Sequence, residues 1–204
     1  MSINDFRVIV ADSSHVGFSQ EICDEIHESA KKRGTGIAKR SVGYISSKME
    51  EGKAIIAFAS DGTWAGFTYI ESWEGKKYVA NSGLIVNPLF RNLGLAKVIK
   101  RKAFALSLKT FKGAKMFGLT TGLAVMKINS DLGYHPVTFS ELTSDNKFWE
   151  GCKNCINYPI LLQKERRNCL CTAMLFDPSK DKMRFDADEA LMNDNYLMCE
   201  QINK

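Results

Sequence analysis

Residues 84–102 read LIVNPLFRNLGLAKVIKRK. An apolar run, Leu84-Ile85-Val86, meets Pro88, which lacks the N–H that a continuing ladder would use. Beyond Arg91-Asn92-Leu93-Gly94 the period changes. Leu95, Val98, Ile99 and Leu106 recur at helical spacing, and Gly113 ends the pattern. A strand therefore turns into a helix expected over 94–109. The first amides of a helix have no internal partner, and the helix dipole makes that end attractive to anions. Gly94 and the small Ala96 let an anion approach the backbone closely. Arg91 adds a planar cationic donor. From Arg91 to Lys115 there are eight basic residues and no acidic one. On its residues alone the segment is either an anion-binding loop or a capped surface helix with a solvated basic face. Lys97, Lys100, Arg101 and Lys102 cannot all face a core.

On the N-terminal side, Phe6 to Ala11 is apolar and β-branched and reads as a strand closed by Asp12-Ser13-Ser14. Val16, Ile22, Ile26 and Ala30 form a helical stripe over 16–32, ending at Gly34. A second helix is expected over 39–50, with Val42, Ile45 and Met49 on one face. Strands follow at 53–59, 63–73 and 77–86, separated by the turn signals Asp61-Gly62 and Gly75. On the other side, 115–121 reads as a strand, 122–132 as a short helix and 137–142 as a strand. Residues 171–176 suit a last strand, and 186–199 a helix in a polar tail. The order is mixed α/β with a three-strand meander at its centre, not the alternation of a doubly wound parallel sheet.

With loop and order together, the sequence resembles the GNAT family of acyl-CoA N-acyltransferases over about residues 5–142. Val86-Asn87-Pro88-Leu89-Phe90-Arg91-Asn92-Leu93-Gly94-Leu95-Ala96 matches the pyrophosphate-loop motif of that family, Arg/Gln-x-x-Gly-x-Gly/Ala. The resemblance implies an α/β fold with a mixed, mainly antiparallel sheet that splays between the strands at 77–86 and 115–121. It also implies acetyl-CoA as cosubstrate. Arg91, Asn92, Leu93, Gly94, Leu95 and Ala96 would cradle its diphosphate, and Leu84, Ile85 and Val86 would pair with its pantetheine arm. Met126-Lys127-Ile128-Asn129-Ser130-Asp131-Leu132-Gly133-Tyr134 resembles the family's helix before a Leu-Gly-Phe/Tyr turn. Many members carry a tyrosine, four residues before that glycine, as acid toward the leaving thiolate. Here the position is Asn129, as in a subset of the family. Asparagine can hydrogen-bond the cofactor but cannot supply a proton at neutral pH.

Acyl transfer to an amine needs a proton acceptor and a donor for the developing oxyanion. The leaving thiol, with a pKa of about 8.5 by analogy with cysteine, scarcely needs an acid. Positioning can therefore carry much of the rate. Glu71 and Glu74 are the candidate bases, with Glu71 close to Tyr69 and Trp73 in sequence. Both carboxylates read at least as readily as hairpin surface charges. Asn81 and Ser82 break the third meander strand and mark either a bulge near the acetyl group or edge polarity. His135 lies beside Pro136 in a loop, and His15 and His27 read as surface residues.

Four of the six cysteines crowd into residues 144–171. Cys152 and Cys155 have zinc-ribbon spacing, and Cys169 and Cys171 follow after a loop. The set admits a structural zinc, buried free thiols or a redox pair. The expected organisation is an acyltransferase domain over 1–142, a Cys-rich loop plus last strand packed on it over 143–178, and a tail over 179–204. The Cys-rich stretch also resembles GNAT-like proteins linked with arginine biosynthesis, which implies a glutamate acceptor.

Across 204 residues, 45% are hydrophobic and 25% charged, as in a soluble globular chain. Twenty-eight basic against 23 acidic residues leave +5, too little to argue for nucleic acid. No apolar run reaches the roughly 18 residues of a membrane span. The opening residues have no signal-peptide pattern. The expectation is a cytoplasmic N-acetyltransferase, monomeric or homodimeric, acting on a small amine or amino acid and needing neither nucleic acid nor membrane. The competing reading is a catalytically silent acyl-CoA-binding regulatory module.

Overall fold

The computed structural model describes residues 6–34 and 40–192. Strand β1 (Phe6–Val10) leads through a 3-10 turn into α1 (Ser19–Arg33), followed by α2 (Val42–Glu50). The meander is β2 (Ala54–Ala59), β3 (Trp64–Trp73) and β4 (Tyr78–Val86). Then come α3 (Leu95–Thr110), β5 (Lys115–Thr120), α4 (Leu123–Asp131) and β6 (His135–Val137). Two short helices, α5 (Asn146–Glu150) and α6 (Tyr158–Gln163), precede β7 (Thr172–Phe176) and α7 (Ala187–Met192). The remainder of the helix expected over 186–199 lies outside the described residues.

The strands form one sheet in the order β1-β2-β3-β4-β5-β7-β6. All neighbours are antiparallel except β4 and β5. Strand alternation sends adjacent residues to opposite faces, and each face has its own cover. Ile22 and Ile26 of α1 and Ile45 and Met49 of α2 pack on Ile56, Phe67 and Tyr69. On the reverse face, Val98, Ile99 and Ala103 of α3 pack on Val8, Ile55 and Ala65. Further along that face Phe104 meets Met116, Leu132, Tyr134 and Phe176. Leu142, Trp149 and Leu161 cover Ala80, Phe117, Ala173 and Leu175. The 143–171 stretch is thus a small lobe beside α2, on the same side of the sheet.

Two expectations are corrected here. The strand expected over 137–142 is only His135–Val137. Thr138 and Glu141 form a capping box, closing 139–141 as a 3-10 turn that buries Phe139 and Leu142 under the lobe. The basic face of α3 is not wholly solvated either, because Lys100 and Lys102 are each only 2% exposed.

Candidate functional site

Strands β4 and β5 pair in parallel over only three residues, Tyr78↔Lys115, Val79↔Met116 and Ala80↔Phe117. Beyond Phe117, β5 continues its ladder with β7 alone. Beyond Ala80, β4 continues with β3 alone. Asn81 to Val86 and Gly118 to Thr120 therefore line a wedge in the sheet, each with one edge outside any ladder. Leu84, Ile85 and Val86 lie on that edge, as the sequence led us to expect.

The bulge falls slightly later than expected, at Gly83 and Leu84 rather than at Asn81 and Ser82. There the register slips between Tyr69↔Ser82 and Phe67↔Ile85. Gly83 has φ +65°, and a Cβ there would lie 2.5 Å from Cε1 of Tyr69. Only glycine satisfies both the backbone and the approach of that ring. Thr68 Oγ1 donates to the Ser82 carbonyl at 2.8 Å, holding the bulge.

The wedge opens toward the start of α3. Asn87 Oδ1 accepts from Leu89 N–H, closing the short Pro88–Phe90 turn. The chain then passes through left-handed Asn92 (φ 63°) and Gly94 (φ 80°). No side chain caps α3 at Gly94. Among the described residues, no hydrogen bond closes the amides of 92–96, so they form a donor-rich concavity at a positive helix end. Arg91 also has structural partners. Its guanidinium donates to Glu25 at 2.7 Å, to Ser29 at 2.8 Å and to the Val86 carbonyl at 3.1 Å. It fastens the loop to α1 and β4.

At the apex of the wedge, Asn129 of α4 is 1% exposed. A Cβ on Gly118 would lie 3.5 Å from its Nδ2, and that Nδ2 donates to Met174 Sδ at 3.7 Å. Asn81 is its counterpart on β4, with Nδ2 donating to Ser107 Oγ at 2.7 Å. The Oδ1 atoms of both asparagines are buried without a hydrogen-bond partner. An unpaired buried acceptor costs about 1–3 kcal/mol. Two of them at one apex mark a place suited to a polar guest.

On the other face of the sheet Glu71 is ion-paired with Lys48 of α2 at 2.5 Å. Lys48 also lies over the Tyr44 ring. Arg40 donates through Nε to Tyr69 Oη at 2.7 Å and stacks on Tyr44. Burial, then the neighbouring Tyr69, pushes the Tyr44 hydroxyl well above the ordinary phenol range, so it stays neutral. This group of two cations, two phenols and a carboxylate lies between α2 and the lobe. Of these residues the sequence singled out only Glu71. Tyr44 and Lys48 carry a signal in hindsight, since they lie one helical turn apart on one face of α2, whereas Arg40 precedes its N-cap Ser41. Glu74, the other candidate base, is occupied. Its Oε1 accepts from Thr143 Oγ1 at 2.7 Å and from the Ser144 amide at 2.6 Å, tying the lobe to the β3–β4 hairpin.

No family model matches this chain, and no curated protein is similar to it in sequence. Solved structures are similar in fold. The N-acetylglutamate synthase of Neisseria gonorrhoeae, bound to coenzyme A and N-acetyl-glutamate, superposes with a TM-score of 0.61 at 14% identity. The match covers 84% of this chain but 35% of that one, so this chain spans about a third of the synthase. A phosphinothricin acetyltransferase of Sinorhizobium meliloti, bound to acetyl-CoA, gives 0.57 at 13% identity, covering 85% and 88%. A GNAT-family acetyltransferase of Listeria monocytogenes gives 0.56 at 12%, covering 84% and 94%.

The fold is that of the GNAT acetyltransferases. Within this sheet β7 is the strand that sits between β5 and β6.

The cysteines added to this GNAT fold do not form the metal set expected from their spacing. Among the described residues, no three histidine, cysteine, aspartate or glutamate side chains are arranged to hold a metal ion. Cys155 Sγ instead accepts from the Asn157 amide at 3.4 Å, and Cys169 donates to the Asn157 carbonyl at 3.8 Å. Burial pushes the Cys152 thiol up to about 11 and the Cys171 thiol up to about 12. Cys152, Cys155, Cys169 and Cys171 are free, half-buried thiols, and Cys152, Cys169 and Cys171 pack against the lobe's apolar core. Cys199 lies outside the described residues. Among the described residues, no helix is long and apolar enough to cross a membrane.

Proposed function

We propose that this chain is an acetyl-CoA-dependent N-acetyltransferase whose acceptor is a small amine bearing a carboxylate, an amino acid such as glutamate. The observation that carries this reading is the parting of β4 and β5 after Ala80 and Phe117, continuous with the uncapped amides of 92–96. The amides take the cosubstrate's diphosphate, and the open edge of Leu84 to Val86 pairs with its amide-bearing arm. The thioester then lies at the apex, where the buried carbonyl oxygens of Asn81 and Asn129 accept polar hydrogens of the arm. A strand amide at the bulge stabilises the oxyanion.

The acceptor enters from the opposite face, between α2 and the lobe. Arg40 and Lys48 supply the positive field for its carboxylate. Glu71, ion-paired with Lys48, takes the proton from its ammonium. Attack forms the nitrogen–carbonyl bond, and the carbon–sulfur bond breaks.

The test has two stages. Titrating acetyl-CoA should raise the melting temperature progressively, because a ligand of the native state stabilises by mass action. Thiol release should then follow with an acidic amino acid and be lost in Glu71→Gln. No thermal shift at millimolar acetyl-CoA would overturn the reading. A shift without thiol release across a panel of amines would favour the silent binding module, to which Asn129, with no proton to give, also points.

A further inference from the structure

Lys100 is buried in α3 one turn beyond the anion-binding loop, and nothing so far uses it. It is 2% exposed and, among the described residues, has no carboxylate partner. Its Nζ donates to the carbonyl of Asn81, the first β4 residue past the last parallel pair, at 3.1 Å. It also lies 5.8 Å from the centre of the Tyr134 ring, on the turn after α4. Tyr134 Oη is itself buried without a partner. The ammonium thus spans the gap between α3, β4 and α4 at the depth of the apex, on the side from which the cosubstrate's arm descends. A lysine placed there without a counter-ion is costly, since burying an unpaired charge costs several kcal/mol. The cost falls if an anion arrives during the reaction. Asn129, on the facing helix, cannot donate a proton to that anion.

We propose that Lys100 is the catalytic cation of this site, pairing with the coenzyme A thiolate as it leaves and giving it a proton. This rests on the acetyltransferase reading above. As the carbon–sulfur bond breaks, one Nζ–H passes to sulfur. The acceptor's ammonium loses one proton to Glu71 before attack, and its nitrogen, once acylated, releases a second to solvent water, leaving the neutral amide. Nζ regains its proton from water after coenzyme A departs. The products are the amide and the free thiol. Burial brings the Lys100 pKa down to about 7, so ammonium and amine are both accessible near neutrality.

The test separates sulfur from the rest of the cosubstrate. Affinities of coenzyme A and of its sulfur-free analogue, desulfo-coenzyme A, are measured at about pH 8, where a thiolate is accessible. Wild type should bind coenzyme A about 10-fold more tightly than the analogue, the size of one favourable ion pair. In Lys100→Met that ratio should fall to about 1, with kcat down about 100-fold and the affinity for the analogue unchanged. Lys100→Gln keeps a donor for the Asn81 carbonyl without the charge. It should behave like the methionine variant if charge is what matters, and like wild type if Lys100 only holds the strand. Equal affinities in wild type overturn the proposal even if neither variant folds. So does an unchanged ratio in the variants. If wild type binds neither compound, the acetyltransferase reading falls as well, so the two failures are distinguishable.

Discussion

A lysine with no counter-ion destabilises the native state whenever it carries its charge, and Lys100 lets that cost be read from pH. Facing it are the neutral Tyr134 phenol and the Asn81 carbonyl, and burial alone depresses its pKa. With the folded pKa at about 7 and the unfolded value about 10.4, the unfolded chain binds more protons throughout that interval. The Lys100 contribution therefore favours folding more as pH rises from 7 to 10, and the gain is lost as pH falls back through 7. Urea midpoints of wild type and Lys100→Met should diverge most near pH 7, where the methionine variant is the more stable. They should converge toward pH 10, by a difference on the order of a few kcal/mol. A constant gap across that range would mean the ammonium is solvated. Gly83 makes a steric claim of the same local kind. Gly83→Ala must adopt a left-handed backbone and displace the Tyr69 ring, which holds Arg40. The expected loss is about 1–3 kcal/mol by thermal unfolding, with a higher KM for the amine acceptor. An unchanged melting point would show that the bulge relaxes freely.

Between elements, one carboxylate ties the lobe over 143–171 to the β3–β4 hairpin, and one indole braces the lobe's first turn. Glu74 accepts from Thr143 and Ser144, and Trp149 Nε1 donates to the Thr143 carbonyl at 2.9 Å. Glu74→Ala should lower the melting temperature by a few degrees, about 1–2 kcal/mol. It should also speed alkylation of Cys152 and Cys171, whose raised pKa values keep them neutral in the folded lobe. Mass spectrometry of the labelled cysteines reads this directly, and equal rates in both proteins would detach the lobe's order from Glu74. How far each element was legible follows the range of its determinants. The strand-to-helix turn at 86–95 was legible because Pro88, Asn92 and Gly94 act within a few residues. The Thr138-x-x-Glu141 box was equally local, but the apolar residues around it imitate a strand. Lys100 was not legible, since a helical wheel assigns every lysine to solvent and only the neighbouring α4 turn buries it. The Lys48–Glu71 pair joins residues 23 apart in sequence, on α2 and β3, and no spacing rule reaches that far. Cysteine spacing is local, whereas the direction of each Sγ depends on Asn157 and the lobe around it.

The molecule as a whole is two ladders hinged on three residue pairs. The β1–β4 ladder and the β5–β7–β6 ladder share only Tyr78–Ala80 against Lys115–Phe117, while α3 and α4 are tied across the wedge by the Lys97–Asp131 pair at 3.4 Å. Helix α3 and the lobe each pack across both ladders, so the ladders' relative position is set by the hinge, by those shared covers and by whatever fills the wedge. A molecule bound along the wedge would satisfy the open edge of β4 as a further strand would, and would bridge the α3 amides to the apex. Native-state hydrogen exchange resolves this by segment, because protection reports local opening. Adding acetyl-CoA should slow exchange in three places together: the amides of 92–96, the β4 edge over 82–86 and the β5 end over 118–120. Adenosine 5′-diphosphate, which carries the diphosphate but lacks the arm, should protect the first and leave the other two unchanged. Protection confined to 92–96 even with acetyl-CoA would mean that the loop binds phosphate while the wedge stays out of the reaction. Protection of the strands but not the loop would assign the wedge to a different guest. Only the joint pattern agrees with a cosubstrate that holds the two ladders at one fixed angle, and with it the spacing between Lys100 on one face and Glu71 on the other.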